Sequence, residues 1–142
     1  MAEDSHIAGA PITVTIKERE LKLYPLRDRE FAELDEWVRS SMVRTALSSL
    51  RDSDSQKFRE EVISVAMRAS IGLTWMSGDG KRAMGTVAGI AALVSASTRG
   101  AVGHDEARDL LFGDLSKIDE INLVFRRLNP GRAKELPPNG NP

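Results

Sequence analysis

The most restrictive feature of the sequence is an uncharged run of sixteen residues, AMGTVAGIAALVSAST, at positions 83–98. It is too short and too rich in small residues to cross a bilayer, which requires about 20 strongly apolar residues. Gly85 and Gly89 each cost about 1 kcal/mol of helix propensity relative to alanine, which a close approach of a neighbouring backbone would offset. We therefore predict a closely packed helix over residues 81–98. It is either the central helix of the domain core or a face that docks another chain.

The turn before this run, GDGK at residues 78–81, resembles the start of a phosphate-binding loop but lacks the chemistry of one. A Walker A loop requires a glycine at the position of Trp75 and a magnesium-binding hydroxyl at the position of Arg82. We therefore interpret the segment as an ordinary turn between helices and expect no nucleotide cofactor.

Patterns for metal binding and catalysis are also incomplete. The stretch from Asp52 resembles a calcium loop, but Lys57 stands in place of the required glycine and Ile63 stands in place of the closing glutamate. We therefore interpret this stretch as the cap of the next helix. A zinc site is not expected in a chain with no cysteine and only two histidines, His6 and His104. No serine occupies a nucleophile elbow, and no polar cluster interrupts an apolar stretch. We expect a non-enzymatic protein with no catalytic residues, no metal and no other cofactor.

The segment ITVTIKERELKLY, residues 12–24, alternates apolar and polar side chains on both sides of a short charged link. This period of two predicts a β-hairpin that ends at Pro25, although the link lacks the Asn-Gly signature that would define its turn. Two strands alone are marginally stable in water, and their edges are free to pair with another protein. We therefore predict that the hairpin is a contact element. The predicted contact residues are Ile12, Val14, Ile16, Leu21 and Leu23.

After Pro25 the apolar residues recur every three or four positions, as in amphipathic helices. The predicted helices span about 28–50, 53–72 and 81–98, followed by a short helix around Ala107 and a last helix after Asp114. The fold class is mainly α: an N-terminal β-hairpin followed by a bundle of about five helices. We predict a flexible arm (1–11), one domain (12–130) formed by the hairpin (12–24) and the helical bundle (28–129), and a flexible tail (131–142).

The charge balance narrows the class of partner. A net charge of -1 lacks the basic surplus that a general nucleic-acid binder requires. The first residues, MAEDSHIAGAP, contain neither the basic nor the apolar region of a signal peptide. We expect no nucleic-acid or membrane partner, which leaves other proteins or further copies of this chain.

Several large or unusually small side chains could anchor such a partner. Trp37, Trp75 and Met76 belong to residue types that are enriched at interface cores, and Gly85 and Gly89 would permit close docking of another chain. Packing in the chain's own core is an equally good interpretation of each large side chain.

Two stretches carry a resemblance to a known family. The segment ITVTIKERELKLYPLRDREFAELDEWVR, residues 12–39, resembles the opening of small tail-assembly proteins of tailed bacteriophages. These proteins begin with a short hairpin that ends in a Pro-Leu step, followed by an acidic helix with an LxxLxxW type of pattern. Residues 85–114 are similar to their helix of small residues, which leads to a Leu-Ser-x-Arg type of segment, here Leu93 to Arg99.

This resemblance implies a non-enzymatic role in assembly. One expected role is a tail assembly chaperone that binds tail-tube subunits or the tape-measure protein in the host cytoplasm. The alternative is a minor structural component of the virion, such as a baseplate, tail or neck adaptor, with homo-oligomerisation into a ring. A small cellular helical adaptor is a third hypothesis, outside the phage family.

Overall fold

The structure, a computed structural model, describes residues 9–130. Most of the predicted arm (residues 1–8) and the predicted tail (131–142) lie outside the described residues. The described chain is mainly helical with an N-terminal antiparallel hairpin, which confirms the predicted fold class. The elements in chain order are β1 (Ile12–Ile16), β2 (Arg19–Leu23), α1 (Asp28–Ser48), α2 (Gln56–Ser70), α3 (Gly78–Met84), α4 (Val87–Ser97), α5 (His104–Gly113) and α6 (Lys117–Leu128).

The hairpin is closed by a two-residue turn. β1 pairs with β2 from Ile12 opposite Leu23 to Ile16 opposite Arg19. The turn residues Lys17 and Glu18 have φ values of 49° and 68°, so both adopt the left-handed conformation of a type I′ turn. Neither is the Asn or Gly usually found there, so the sequence did not indicate this turn type.

The inward face of the hairpin lies in the hydrophobic core, where it contacts α6 and α4. The side chains of Val14, Ile16, Leu21 and Leu23 are each at most 4% exposed. A side chain that the chain itself already buries has no surface left for a partner, so the prediction of these four as partner contacts is corrected: they are core residues. Ile12 is only partly buried and stays a predicted contact.

α4 forms the centre of the domain and packs against α1, α3, α5 and β2. Every residue of α4 from Gly89 to Ser97 is buried, as expected for the central helix of the core. The backbone N–H of Tyr24 donates to the carbonyl of Ser97 at 2.8 Å, which joins the end of the hairpin to the end of this helix.

The predicted helix over residues 81–98 is interrupted, which is why the described chain has six helices rather than about five. α3 ends at Met84 with Gly85 as its C-cap, and the hydroxyl of Thr86 accepts a hydrogen bond of 3.0 Å from the backbone N–H of Gly89. A threonine that caps a helix in this way begins a new helix at the next residue. Periodicity alone did not reveal the break because Thr86 is also compatible with a helix interior.

Three aromatic rings join the start of α1 to α6 through the loop before α3. The ring of Trp75 stacks on Phe31 with centroids 5.3 Å apart and meets Phe125 edge-on at 5.9 Å. The backbone N–H of Trp75 also donates to the carboxylate of Asp35 at 2.9 Å. Trp75 is 4% exposed and is therefore a core residue, which corrects its prediction as a partner anchor.

Candidate protein-contact surfaces

α2 stands out because its extensive packing is with one neighbour, α1. Among its residues, only Ala66 and Ser70 are buried. Its start is capped by Ser55, whose hydroxyl accepts from the backbone N–H of Phe58 at 3.1 Å. The helix is therefore well formed locally but is covered by the described chain along a narrow strip only.

The apolar stripe of α2 lies beside that strip. Phe58, Val62, Val65 and Ala69, which we call the α2 face, are spaced by four, three and four residues. This mean spacing of about 3.7 residues is close to the 3.6 residues of one helical turn, so the four side chains lie along one face of the helix. Phe58 is 48% exposed, Val65 is 56% exposed and Ala69 is exposed, whereas Val62 is partly buried, so the described chain leaves most of the α2 face uncovered. Spacing shows that residues share a face, but it does not show what covers that face.

A second apolar area lies on another side of the α1–α2 contact. Val43, Met67 and Ile71 line an open groove of about 560 Å³ between the two helices. Met67 and Ile71 are exposed, as is Leu47 near the end of α1. The α1–α2 pair therefore presents apolar side chains beyond those of the α2 face.

A separate groove runs between α1 and α4, with Trp37 at its middle. Its first half, about 350 Å³, has an apolar wall that includes Leu34, Ala92 and Ala96. Its second half, about 490 Å³, continues past Trp37 and His104 along Ala88 and Ala91. We call both halves together the Trp37 groove. Trp37 is partly buried in it and stays a predicted partner contact.

Positive charge dominates the rim of the Trp37 groove. Arginine side chains outnumber carboxylates along the two halves by five to three. The arginines are Arg27, Arg29, Arg44, Arg99 and Arg108, and the carboxylates are Glu30, Glu33 and Asp105. The groove therefore suits an extended segment with apolar and acidic side chains.

Glu30 is the one buried carboxylate of this rim, and Arg27 holds it ionised. The Arg27 guanidinium donates to the two carboxylate oxygens of Glu30 at 2.8 and 2.7 Å, and its backbone N–H donates at 2.9 Å. The side-chain hydrogen bond from Arg27 is the main reason why the pKa of Glu30 is lowered to about 2, against the opposing effect of burial. Both oxygens of this carboxylate accept hydrogen bonds from Arg27 at the start of α1, so the group has a structural role there.

Arg99 has an unusual backbone conformation at the end of α4. Its φ is 56°, in the left-handed region that usually takes glycine after a helix. The guanidinium carbon of Arg99 lies 4.3 Å from the centroid of the Tyr24 ring, within the range of a cation–π contact. The contact with Tyr24 therefore holds a charged side chain at the rim of the Trp37 groove, at a backbone position whose conformation usually favours glycine.

The two glycines that were predicted to form a docking face, Gly85 and Gly89, differ in their exposure to solvent. Gly85 is exposed at the end of α3 and stays a predicted contact. Gly89 is buried, and a Cβ atom there would lie 2.2 Å from the carbonyl oxygen of Ala83 and 2.5 Å from Cα of Met84. The close approach at Gly89 is therefore made by the chain's own α3, which corrects the prediction that it docks another chain. Met76 is partly buried against the core and stays a prediction.

Within residues 9–130, no group of three or more potential metal ligands is present. No helix of this part of the chain combines the length and apolar character needed to cross a membrane. Comparison of the chain with protein-family models, curated proteins and solved structures gave no match. The α2 face and the Trp37 groove are therefore the features from which a function can be inferred.

Proposed function

We propose that this protein acts through protein–protein contacts, with the α2 face as its principal binding surface. The exposure of Phe58 and Val65 is the observation that carries the proposal. A regular stripe of apolar side chains on a capped helix suits an apolar helix or groove of another protein. Burying a side chain of this size fully contributes about 1.5–3 kcal/mol, so covering the exposed half of each contributes about 1 kcal/mol.

The class of partner comes from the resemblance to small phage tail-assembly proteins. On that basis we propose a non-enzymatic, tail assembly chaperone-like factor that works in the host cytoplasm. The tape-measure protein suits the α2 face because it is a very long helical protein. A tail-tube subunit is the other candidate partner.

A charge placed on the α2 face tests the proposal. We expect Val65→Glu to weaken capture of the co-expressed tape-measure or tube protein by at least about tenfold, because binding would have to desolvate the carboxylate. Ser64→Glu is the matched control, since it adds the same charge to the adjacent exposed position of the same helix, outside the α2 face. Both variants should keep the helical circular-dichroism signal. Equal capture by both variants, or capture of neither protein by the wild type, would refute the proposal.

The content of purified particles separates the chaperone from the structural role. A chaperone should be absent from mature virions or present in traces. A fixed copy number per particle, together with a ring-sized oligomer in solution, would assign the chain to the baseplate, tail or neck instead. A chain encoded away from any tail genes would favour the small cellular adaptor.

A further inference from the structure

We propose that the Trp37 groove is the docking site of the acidic segment MAEDSHIA, residues 1–8 of this same chain. The inference is independent of the α2 face, because it concerns another surface and another occupant.

The described chain begins at the Arg99 end of the groove. Ile12 pairs with Leu23, so the residues before Ile12 and those after Leu23 lie at the same end of the hairpin. Tyr24 comes directly after Leu23, and its ring lies under the Arg99 guanidinium. The strand that follows the segment therefore begins at the end of the hairpin where Tyr24 meets Arg99, at one rim of the groove.

The segment is long enough to reach the middle of the groove. Trp37 lies ten residues after Arg27 along α1, about 15 Å at 1.5 Å per helical residue. Eight extended residues span at most about 27 Å, and the acids Asp4 and Glu3 stand five and six positions before Gly9, a span of up to about 20 Å. The segment is therefore longer than the distance from Arg27 to Trp37, so its acids can pass along the arginines of the rim.

The charges of the segment and the groove are complementary. Glu3 and Asp4 are adjacent acids, and the groove has an excess of two positive charges. Exposed ion pairs are individually weak, but a tethered segment is present at an effective concentration in the millimolar range. Occupancy should therefore be substantial at low ionic strength and fall with added salt, because salt screens exposed charges.

The fluorescence of Trp37 reports whether the groove is covered. Trp75 is 4% exposed, so quenching by acrylamide reports mainly on Trp37, and a Trp37→Phe variant supplies the remaining background. In the full chain, the double variant Glu3→Lys, Asp4→Lys should raise the quenching constant of Trp37 by about twofold, because the segment is repelled. The matched control is Glu18→Lys, Glu20→Lys, which makes the same charge change near the turn of the hairpin. It should leave quenching unchanged, and high salt should bring the wild type to the level of the first variant.

Two results would overturn the inference. Equal quenching in the wild type and the Glu3, Asp4 variant would show that the segment does not cover Trp37. A difference that disappears on dilution of the protein would show that the segment binds a second copy rather than its own chain.

Discussion

Gly89→Ala provides the sharpest test of the packing around α4. In an isolated helix this substitution is stabilising by about 1 kcal/mol, because alanine has the higher helix propensity. In the folded chain the added methyl carbon would lie 2.2 Å from the carbonyl oxygen of Ala83 and 2.5 Å from Cα of Met84. Both neighbours are backbone atoms at the end of α3, so a side-chain rotation cannot relieve the overlap.

The magnitude follows from these two effects. Overpacking of a buried site costs about 1–3 kcal/mol, and occasionally more. A contact with backbone atoms belongs at the upper end of that range, because relief requires movement of α3 away from α4. After subtraction of the gain in propensity, we expect Gly89→Ala to lower the free energy of unfolding by about 2 kcal/mol.

Gly85→Ala is the matched control. Its Cβ would have as nearest neighbours the carbonyl oxygens of Arg82 and Lys81 at 3.5 and 3.6 Å, which are ordinary contacts, and its backbone is right-handed with φ of -81°. We expect a change between zero and a gain of about 1 kcal/mol, through the reduced entropy of the unfolded chain. Urea unfolding followed by circular dichroism measures both variants. A Gly89→Ala protein that is as stable as the Gly85→Ala protein would refute the assigned contact between α3 and α4.

Two further predictions concern the hairpin and the start of α1. Val14→Asp should lower the free energy of unfolding by about 4 kcal/mol or more and abolish the helical signal, because Val14 is 1% exposed. The control Thr15→Asp, on the outward side of the same strand, should lower it by less than about 1 kcal/mol. A folded Val14→Asp protein would contradict the burial of this face. The pKa of Glu30 is lowered to about 2, so its ionised form stabilises the folded chain fully above about pH 5, and this contribution is lost as the pH falls towards 2. Glu30→Gln should therefore lower the free energy of unfolding by about 1–2 kcal/mol at pH 7 and by less in acid. The value is modest because the Arg27 side chain is half exposed, and unfolding midpoints at pH 7, 4 and 2.5 measure it. A constant difference between wild type and variant over this range would rule out the ionised Glu30 as the cause.

The elements that the sequence predicted well are those whose signal is local. The alternation over residues 12–24 predicts the two strands, and a three-to-four-residue period predicts the helices, because each pattern reflects one element alternating between core and solvent. The interruption at Thr86 was missed because the side-chain oxygen of a threonine can cap a helix or point into solvent within one. Only the contacts around Gly89 distinguish the two.

The contact surfaces depended on information that is not local. The three-to-four-residue period predicts the helix over residues 53–72, but the pattern from Phe58 to Ala69 would be the same if that face were buried in the core. The same ambiguity led to the wrong assignment of the inward side chains of the hairpin. For the Trp37 groove, no sequence pattern brought Arg99 next to Tyr24, since the two are adjacent only across the packed helices.

The sequence by itself therefore determined the type and order of the elements and which residues share a face. It did so because backbone geometry gives helices and strands fixed periods that the apolar residues must follow. Only the tertiary structure decided which of those faces the chain covers itself. The interior of the described chain is limited, and α4, the hairpin and the three contacting aromatic rings lie in it, whereas Phe58 and Val65 of the α2 face stay in contact with solvent.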